Sequence, residues 1–543
     1  MGDAPDMGTR VLPSLAPALN LARGSAKNPT LPWAPFAGVL GYLRRMSYAA
    51  LEAHHRTVFQ LRHAEAMLGW DEATMMPAGA GPARAEALAT LRGLIHERAT
   101  APELQELFAA AEAETGLEPW QAANLREMKR AWLRETSIPR DLVEAASRAE
   151  SHSEQAWRVL RAANDWRSFR PLLETVVSLK RETAQALSER LGLSPYDALL
   201  DGYEPGARTA AIAPLFDELR AALPPLIERI LDKQRGEAVI VPPGPFPVEQ
   251  QRWLGMDLMR RVGFDWTRGR LDVSHHPFCG GVPTDVRITT RYDETDFQTA
   301  LMGVMHETGH AKYEQNLPQA FLDQPVGSAR GMSLHESQSL LQEMQICRSR
   351  EFIELLAPLL EQAFPQAVAR EPQAFTPENL YRFATRVKKD FIRVDADEAT
   401  YPCHVLLRFE IESALIEGKL RVDDIPEVWD EKMQELLGLS TRGNDRDGCM
   451  QDVHWAAGLF GYFPTYTLGA LTAAQLFHAL GQALPGVRDD VRRGEFDAIN
   501  GWLREHVWSV GSLLDTPELV RRATGKELGT EAFFAHLSRR YLE

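Results

Sequence analysis

The chain has 543 residues, 44% of them apolar, enough for one large domain or several with substantial cores. Its 60 basic and 75 acidic side chains leave a formal net charge of −15, which argues against nonspecific binding to nucleic acid or to an anionic membrane. No apolar run approaches the roughly 20 residues needed to span a bilayer.

The four cysteines, Cys279, Cys347, Cys403 and Cys449, are far apart and form no C-x-x-C pair. That pattern suits small core residues in a reducing cytoplasm better than a disulfide framework or a cysteine metal site. Residues 1–45 are rich in Pro, Ala and Gly and lack the basic start, apolar core and cleavage site of a signal peptide. They read as a poorly ordered extension, with Met46 a candidate natural start.

From residue 46 to about 233 the apolar spacing is helical, beginning with Tyr48, Leu51, Val58 and Leu61 and leaving through Trp70 into a Gly- and Pro-bearing loop. Helices are predicted over 84–98, 102–113, 120–135, 141–164, 169–191 and 212–233, with 194–206 a turn-rich connector. Between 237 and 292, β-branched clusters at Val239-Ile240-Val241, Leu271 to Ser274 and Val286 to Thr290 predict two or three short strands, with a helix over 248–262.

The next segment carries the chemistry. His306-Glu307-Thr308-Gly309-His310 follows Thr295-Asp296-Phe297-Gln298, which reads as a capping box opening a helix. Two histidines four positions apart turn through about 400°, so both rings lie within roughly 40° on one helical face and reach one ion. Neutral imidazole is a good zinc ligand, and a glutamate beside the first histidine is placed to take a proton from a metal-activated water. Gly309 weakens the helix but lets another backbone come close.

A catalytic zinc needs a third protein ligand. Glu336, 26 positions after His310 in Ser333-Leu334-His335-Glu336, suits that role on the following helix. The same residues also spell a capping box, in which Glu336 would bind backbone instead, and His335 is a rival ligand or a group that orients one. Beyond, helices are predicted over 333–359, 377–389, 396–416, 425–437, 468–484, 496–508 and 530–541, with no linker dividing 46–543.

Five more clusters are more polar and aromatic than packing requires: His276-Pro277-Phe278, Asp285 to Thr289, Ile392 to Asp397, Thr400 to His404, and Gly448 to Trp455. With the His-Glu-x-x-His and His-Glu-Ser-Gln stretches, they resemble the carboxypeptidase Taq family of zinc metallocarboxypeptidases. Its marks HPF, DxRxT, HExxH, HES with Gln, IRxxAD and GxxQDxHW occur here in order. The resemblance covers about 46–543 and includes Gly461 to Tyr466.

It implies a mainly α fold: one large helical body with a deep substrate cleft and a small β-sheet next to the HExxH helix. It further implies zinc on His306, His310 and Glu336, with Co2+ a candidate substitute, Glu307 as general base, and Arg393 pairing with the substrate's terminal carboxylate. Arg287 would assist or brace the site, and His276, Asp285, Thr289, Gln451, Asp452 and His454 would line the cleft. Tyr401, His404, His454, Tyr462 and Tyr466 are candidate oxyanion donors. The implied protein is a cytoplasmic homodimer acting on peptides with a free C-terminal carboxylate and broad preference. The alternatives are a zinc oligopeptidase cutting internally and a peptide-binding module with a silent metal site.

Overall fold

A computed structural model describes residues 47–543, so the expected extension over 1–45 lies outside the described residues. The helical periodicity starting at Tyr48 becomes a 28-residue helix, Ser47–Thr74, whose inward positions include Tyr48, Leu51, Val58 and Trp70. Helices Gly81–Ala99, Leu104–Glu112, Pro119–Ser137, Arg140–Ala162, Trp166–Leu191 and Thr209–Gln234 follow within a few residues of their predicted bounds.

The stretch read as a connector is itself helical over Pro195–Tyr203. Pro195 sits in the first turn, where its missing N–H costs nothing, and Ser194 Oγ accepts from Asp197 N–H at 3.2 Å. Its turn-like residues are therefore a helix start.

The sheet has three strands, β1 (Gly269–Val273), β2 (Cys279–Val282) and β3 (Asp285–Thr290), in the order β1-β3-β2. β1 runs parallel to β3, with Leu271 opposite Ile288, and β2 antiparallel, with Cys279 opposite Ile288. Val239-Ile240-Val241 is not a strand. The side chain of Asn379 takes the place of a strand partner, accepting from Ile240 N–H at 2.8 Å and donating to its carbonyl at 2.7 Å. β2 escaped the sequence reading because its two central residues are glycines, Gly281 with φ +94°, a conformation that other residues rarely adopt.

Two large apolar clusters fill the body. One contains Leu406, Trp429 and Phe463, and the other Met305, Leu334 and Phe352. The Pro464–Ala483 helix serves both, giving Leu468 and Leu471 to the first and Leu476 and Leu480 to the second. Each such leucine contributes about 1.5–3 kcal/mol of burial, so this helix fixes the frame on which the site rests.

The predicted 333–359 helix is divided. Met332–Leu340 passes into a wide π turn, Leu341–Cys347, and a new helix runs over Arg350–Ala363 with Ser349 as its cap. The predicted 396–416 helix begins only at Tyr401, because Asp397 accepts from the Ala399 and Thr400 N–H groups ahead of it. The 377–389 helix ends at Ala384. Helices Val487–Arg493 and Thr516–Thr524 had no counterpart in the sequence reading. Ile425–Leu437, Asp497–His506 and Glu531–Tyr541 match their predictions closely. Among the described residues, no helix is long and apolar enough to cross a membrane.

Candidate active site

The Phe297–Gln315 helix carries His306, Glu307 and His310. Its cap is Asp296, whose carboxylate accepts from Gln298 N–H at 2.8 Å and Thr299 N–H at 3.3 Å. Thr295, expected to cap it, instead gives its N–H and hydroxyl to Asp293. The two histidine rings lie 5.0 Å apart. Glu336 arrives on the Met332–Leu340 helix, its Oε2 3.6 Å from His310 Nε2.

One ligand atom from each of His306, His310 and Glu336 lies within 4.8 Å of the others, so the three side chains converge on one point and could close on a single ion with small adjustments. Two glycines permit this. A Cβ at Gly469 would stand 2.8 Å from Glu336 Cβ, and the Gly309 position is equally tight against the helix bearing Glu336.

The capping alternative for Glu336 does not form. Ser333 gives its N–H and hydroxyl to Glu204 at 2.8 and 2.5 Å, leaving the Glu336 carboxylate for the site. His335 supports His310: its Nδ1 lies 2.6 Å from His310 Nδ1, and its Nε2 lies 2.8 Å from Glu314. Glu343, placed by the π turn, meets His306 Nδ1 at 3.0 Å and is itself held by Arg348 at 2.8 Å. Both Nδ1 atoms are thus engaged, and each histidine is left with Nε2 for an ion.

The electrostatics ask for a cation. Burial pushes Glu307 up to about 7, with Glu336 adding to the rise. Burial likewise raises Glu336. Burial opposes charging of His306, yet its bond to Glu343 and the charges of Glu336 and Glu307 hold it up at about 10. Burial and the neighbouring His335 and His306 push His310 well down, favouring the neutral imidazole that a metal needs. Two imidazole nitrogens and a carboxylate beside a surplus of carboxylates suit a divalent ion of borderline softness.

A second cluster surrounds Arg393, which is buried at 4% exposure. Its Nη2 donates to Asp452 Oδ1 at 2.8 Å, its Nη1 to the Tyr401 hydroxyl at 2.6 Å, and its backbone N–H to Gln451 at 2.8 Å. Its guanidinium carbon stands 5.0 Å from the centre of the Tyr466 ring. His454 Nε2 lies 3.2 Å from the Tyr466 hydroxyl, and the Tyr462 and Tyr466 rings are 5.2 Å apart. The clusters share one electrostatic environment, since the charge of Arg393 acts on Glu336 and that of Glu336 on Tyr401.

The remaining predicted residues make no side-chain hydrogen bond to either cluster. Asp285 and Arg287 pair at 2.6 Å on β3, with Arg287 5.9 Å from the Trp70 ring centre. Thr289 is fully buried and accepts from Phe278 N–H at 3.0 Å, fastening the His-Pro-Phe loop to β3, while His276 is exposed. His404 is also fully buried. Neither Thr289 nor His404 offers surface to a substrate, contrary to expectation. A cavity of about 440 Å3 opens beside His335 and is lined also by Tyr203, Arg330, Gly331 and His55.

Sequence reasoning missed Glu343, Arg348 and Arg408. Glu343 follows Glu336 by seven positions, a helical-face spacing that could have revealed it. Arg408 occupies one turn beyond His404 in a segment read only as a helix, and nothing local marks it.

The model of the carboxypeptidase Taq (M32) metallopeptidase family matches residues 50–541. Thermostable carboxypeptidase 1 of Thermus thermophilus is 39% identical over 506 residues, 91% of this chain and 98% of its own length. The structure of Trypanosoma cruzi metallocarboxypeptidase 1 superposes with a TM-score of 0.89 at 45% identity, covering 92% of this chain and 99% of its own. That of Pyrococcus furiosus carboxypeptidase gives 0.87 at 34% identity, covering 91% and 99%. With the three candidate ligands gathered on adjacent helices and likeness running through nearly the whole described body, the chain belongs to the carboxypeptidase Taq (M32) metallopeptidase family and is a metallocarboxypeptidase.

Proposed function

We propose that residues 46–543 form a zinc carboxypeptidase domain that releases C-terminal residues from peptides with broad preference. The observation that carries this reading is the placement of a buried, pre-ordered guanidinium, Arg393, within electrostatic reach of Glu336, so that ion-binding and carboxylate-binding groups serve one cleft. His306, His310 and Glu336 would hold a divalent ion, and that ion would supply Lewis acidity at the scissile carbonyl and lower the pKa of water toward neutrality. Zinc fits the donor set best, with cobalt a substitute.

The chain's own groups do the rest. Glu307, with a pKa near 7, takes the proton from the attacking water and passes it to the leaving amine. Arg393 receives the terminal carboxylate through charge-assisted hydrogen bonds, exchanging part of its hold on Tyr401. The hydroxyls of Tyr401, Tyr462 and Tyr466 and the ring of His454 are the donors available to the developing oxyanion. Gln451 and Asp452 hold Arg393, and Thr289 and the Asp285–Arg287 pair brace the strand and loop beside the helix. The free edge of β2 offers main-chain groups to an extended peptide, and the cavity beside His335 gives its upstream residues room.

Four free cysteines fit a reducing cytoplasm, and a homodimer is the assembly we expect, to be checked by sedimentation. The decisive experiment is mass spectrometry of one peptide offered to the zinc-loaded enzyme as free acid and as C-terminal amide. Successive single-residue losses from the free acid alone are expected. Internal fragments from both forms would make it an oligopeptidase, and no cleavage of either a binding module.

A further inference from the structure

Asp452 stands between two guanidinium groups. Its Oδ1 accepts from Arg393 Nε and Nη2 at 3.1 and 2.8 Å, and its Oδ2 from Arg408 Nε at 2.7 Å. Arg408 has no solvent-accessible surface. Its Nη1 is committed to the His404 carbonyl at 2.6 Å, and its guanidinium carbon lies 4.6 Å from the Trp429 ring centre and 5.4 Å from that of Phe463. It cannot touch a substrate.

Burying a cation is costly, and pairing Arg393 needs only one carboxylate. A lone Arg393–Asp452 pair would nevertheless be neutral, holding the arginine in place while cancelling the charge that a peptide's terminal carboxylate must feel. Arg408 makes the buried cluster two cations on one anion. Among the other groups packed around it, Tyr401 and Tyr466 keep their protons, raised by burial, and His404 and His454 are held neutral by burial, at about 3 and about 4. Two more carboxylates act on the arginines without bonding to them: Glu336 faces the candidate ion, and Glu412, pushed up to about 7 by burial, accepts from Tyr196, Trp455 and the Gly461 N–H.

We infer that Arg408 is a positioning residue for substrate recognition, occupying one oxygen of Asp452 so that this carboxylate fixes Arg393 in place while the cluster keeps one net positive charge for the substrate's terminal carboxylate. The inference rests on the reading of Arg393 as the group that meets that carboxylate. It assigns the buried arginine a task in affinity for free-acid peptides, separate from bond cleavage.

The test is steady-state kinetics on an N-acylated dipeptide free acid, with zinc content and thermal melting recorded for each variant. Arg408→Met should raise KM about tenfold or more with kcat within about threefold, the signature of lost ground-state attraction. Arg408→Lys, which keeps the charge, should stay within about threefold of the wild type in KM. The double variant Arg408→Met/Asp452→Asn restores one net positive charge on Arg393 and should bring KM well below that of Arg408→Met, short of the wild type because the carboxylate that fixes Arg393 is gone.

An unchanged KM in Arg408→Met, or a double variant as impaired as the single one, overturns the inference, because a merely structural arginine would not be rescued by removing its partner. If Arg408→Met does not fold, Arg408→Gln is the neutral variant for the same comparison. Arg393→Met separates the two readings. Unchanged KM there defeats Arg393 as the carboxylate receiver, whereas a raised KM without rescue in the double variant defeats only the role of Arg408.

Discussion

A Cβ placed on Gly309 would stand 2.6 Å from the Cα of Ser339, a distance that no packed pair of carbons sustains. The second histidine of the site therefore reaches Glu336 because the residue before it has no side chain. Gly309→Ala should force the two helices apart, costing about 1–3 kcal/mol from overpacking and weakening metal binding. Gly303, on the same helix with no atom within 4 Å of where a Cβ would stand, is the control. Gly303→Ala should gain up to about 1 kcal/mol from helix propensity with metal affinity unchanged. Thermal melting with zinc analysis checks both, and equal behaviour of the two variants would refute the packing argument.

Glu343 binds His306 Nδ1 at 3.0 Å and so fixes the ring with Nε2 toward the candidate ion site. Glu343→Gln keeps the shape but removes the charge that Arg348 and His306 share. The expected loss is about 10–100-fold in zinc affinity, measured by competition with a chelator of known strength. Activity at saturating zinc should fall far less than affinity, which distinguishes an orienting group from a ligand.

Glu307→Gln should fold, keep its metal and bind peptide, because the neighbouring histidines and Glu336 are untouched. Removing the proposed proton acceptor should lower kcat by about 10²–10⁴-fold. Near-normal turnover in a variant of confirmed sequence and zinc content would remove Glu307 from the chemistry.

Much of this site was legible because its residues sit in short, locally periodic motifs. The i, i+4 pair His306 and His310 dictates one face whatever surrounds it. Glu336 needed more, since spacing alone left a capping role open until Ser333 was found bonded to Glu204, a residue 129 positions away. Arg408 was invisible for the same reason, and Glu343 was marked only by its seven-residue spacing from Glu336. Their meaning depends on partners brought near by packing, 44 positions away for Asp452 and 37 for His306. The strand errors have separate causes: Ile240 pairs with the side chain of Asn379, 139 positions away, instead of with a strand, whereas Gly280 and Gly281 form a strand with little β propensity.

The last prediction concerns stability, away from the site. Glu398 is buried and accepts from Arg540 at 2.6 Å, from the Tyr541 hydroxyl at 2.9 Å and lies 2.9 Å from His536 Nε2, tying the Glu531–Tyr541 helix to the body. Burial opposes its charge, but Arg540 and His536 outweigh that and hold its carboxyl far below the usual range. A carboxyl with a depressed folded pKa contributes stability that is complete above its unfolded pKa of about 4.5 and is lost as pH falls below it. Glu398→Gln leaves Arg540 buried without its anion and should cost about 3–5 kcal/mol at pH 7. As the pH falls below about 4.5 toward the depressed folded pKa, the wild type gives up this contribution progressively, about 1.4 kcal/mol per pH unit, while the variant has none to lose, so the gap between their melting temperatures should narrow steadily below about pH 4.5. A gap of constant size across that range would mean that the charge of Glu398 does not hold the C-terminal helix.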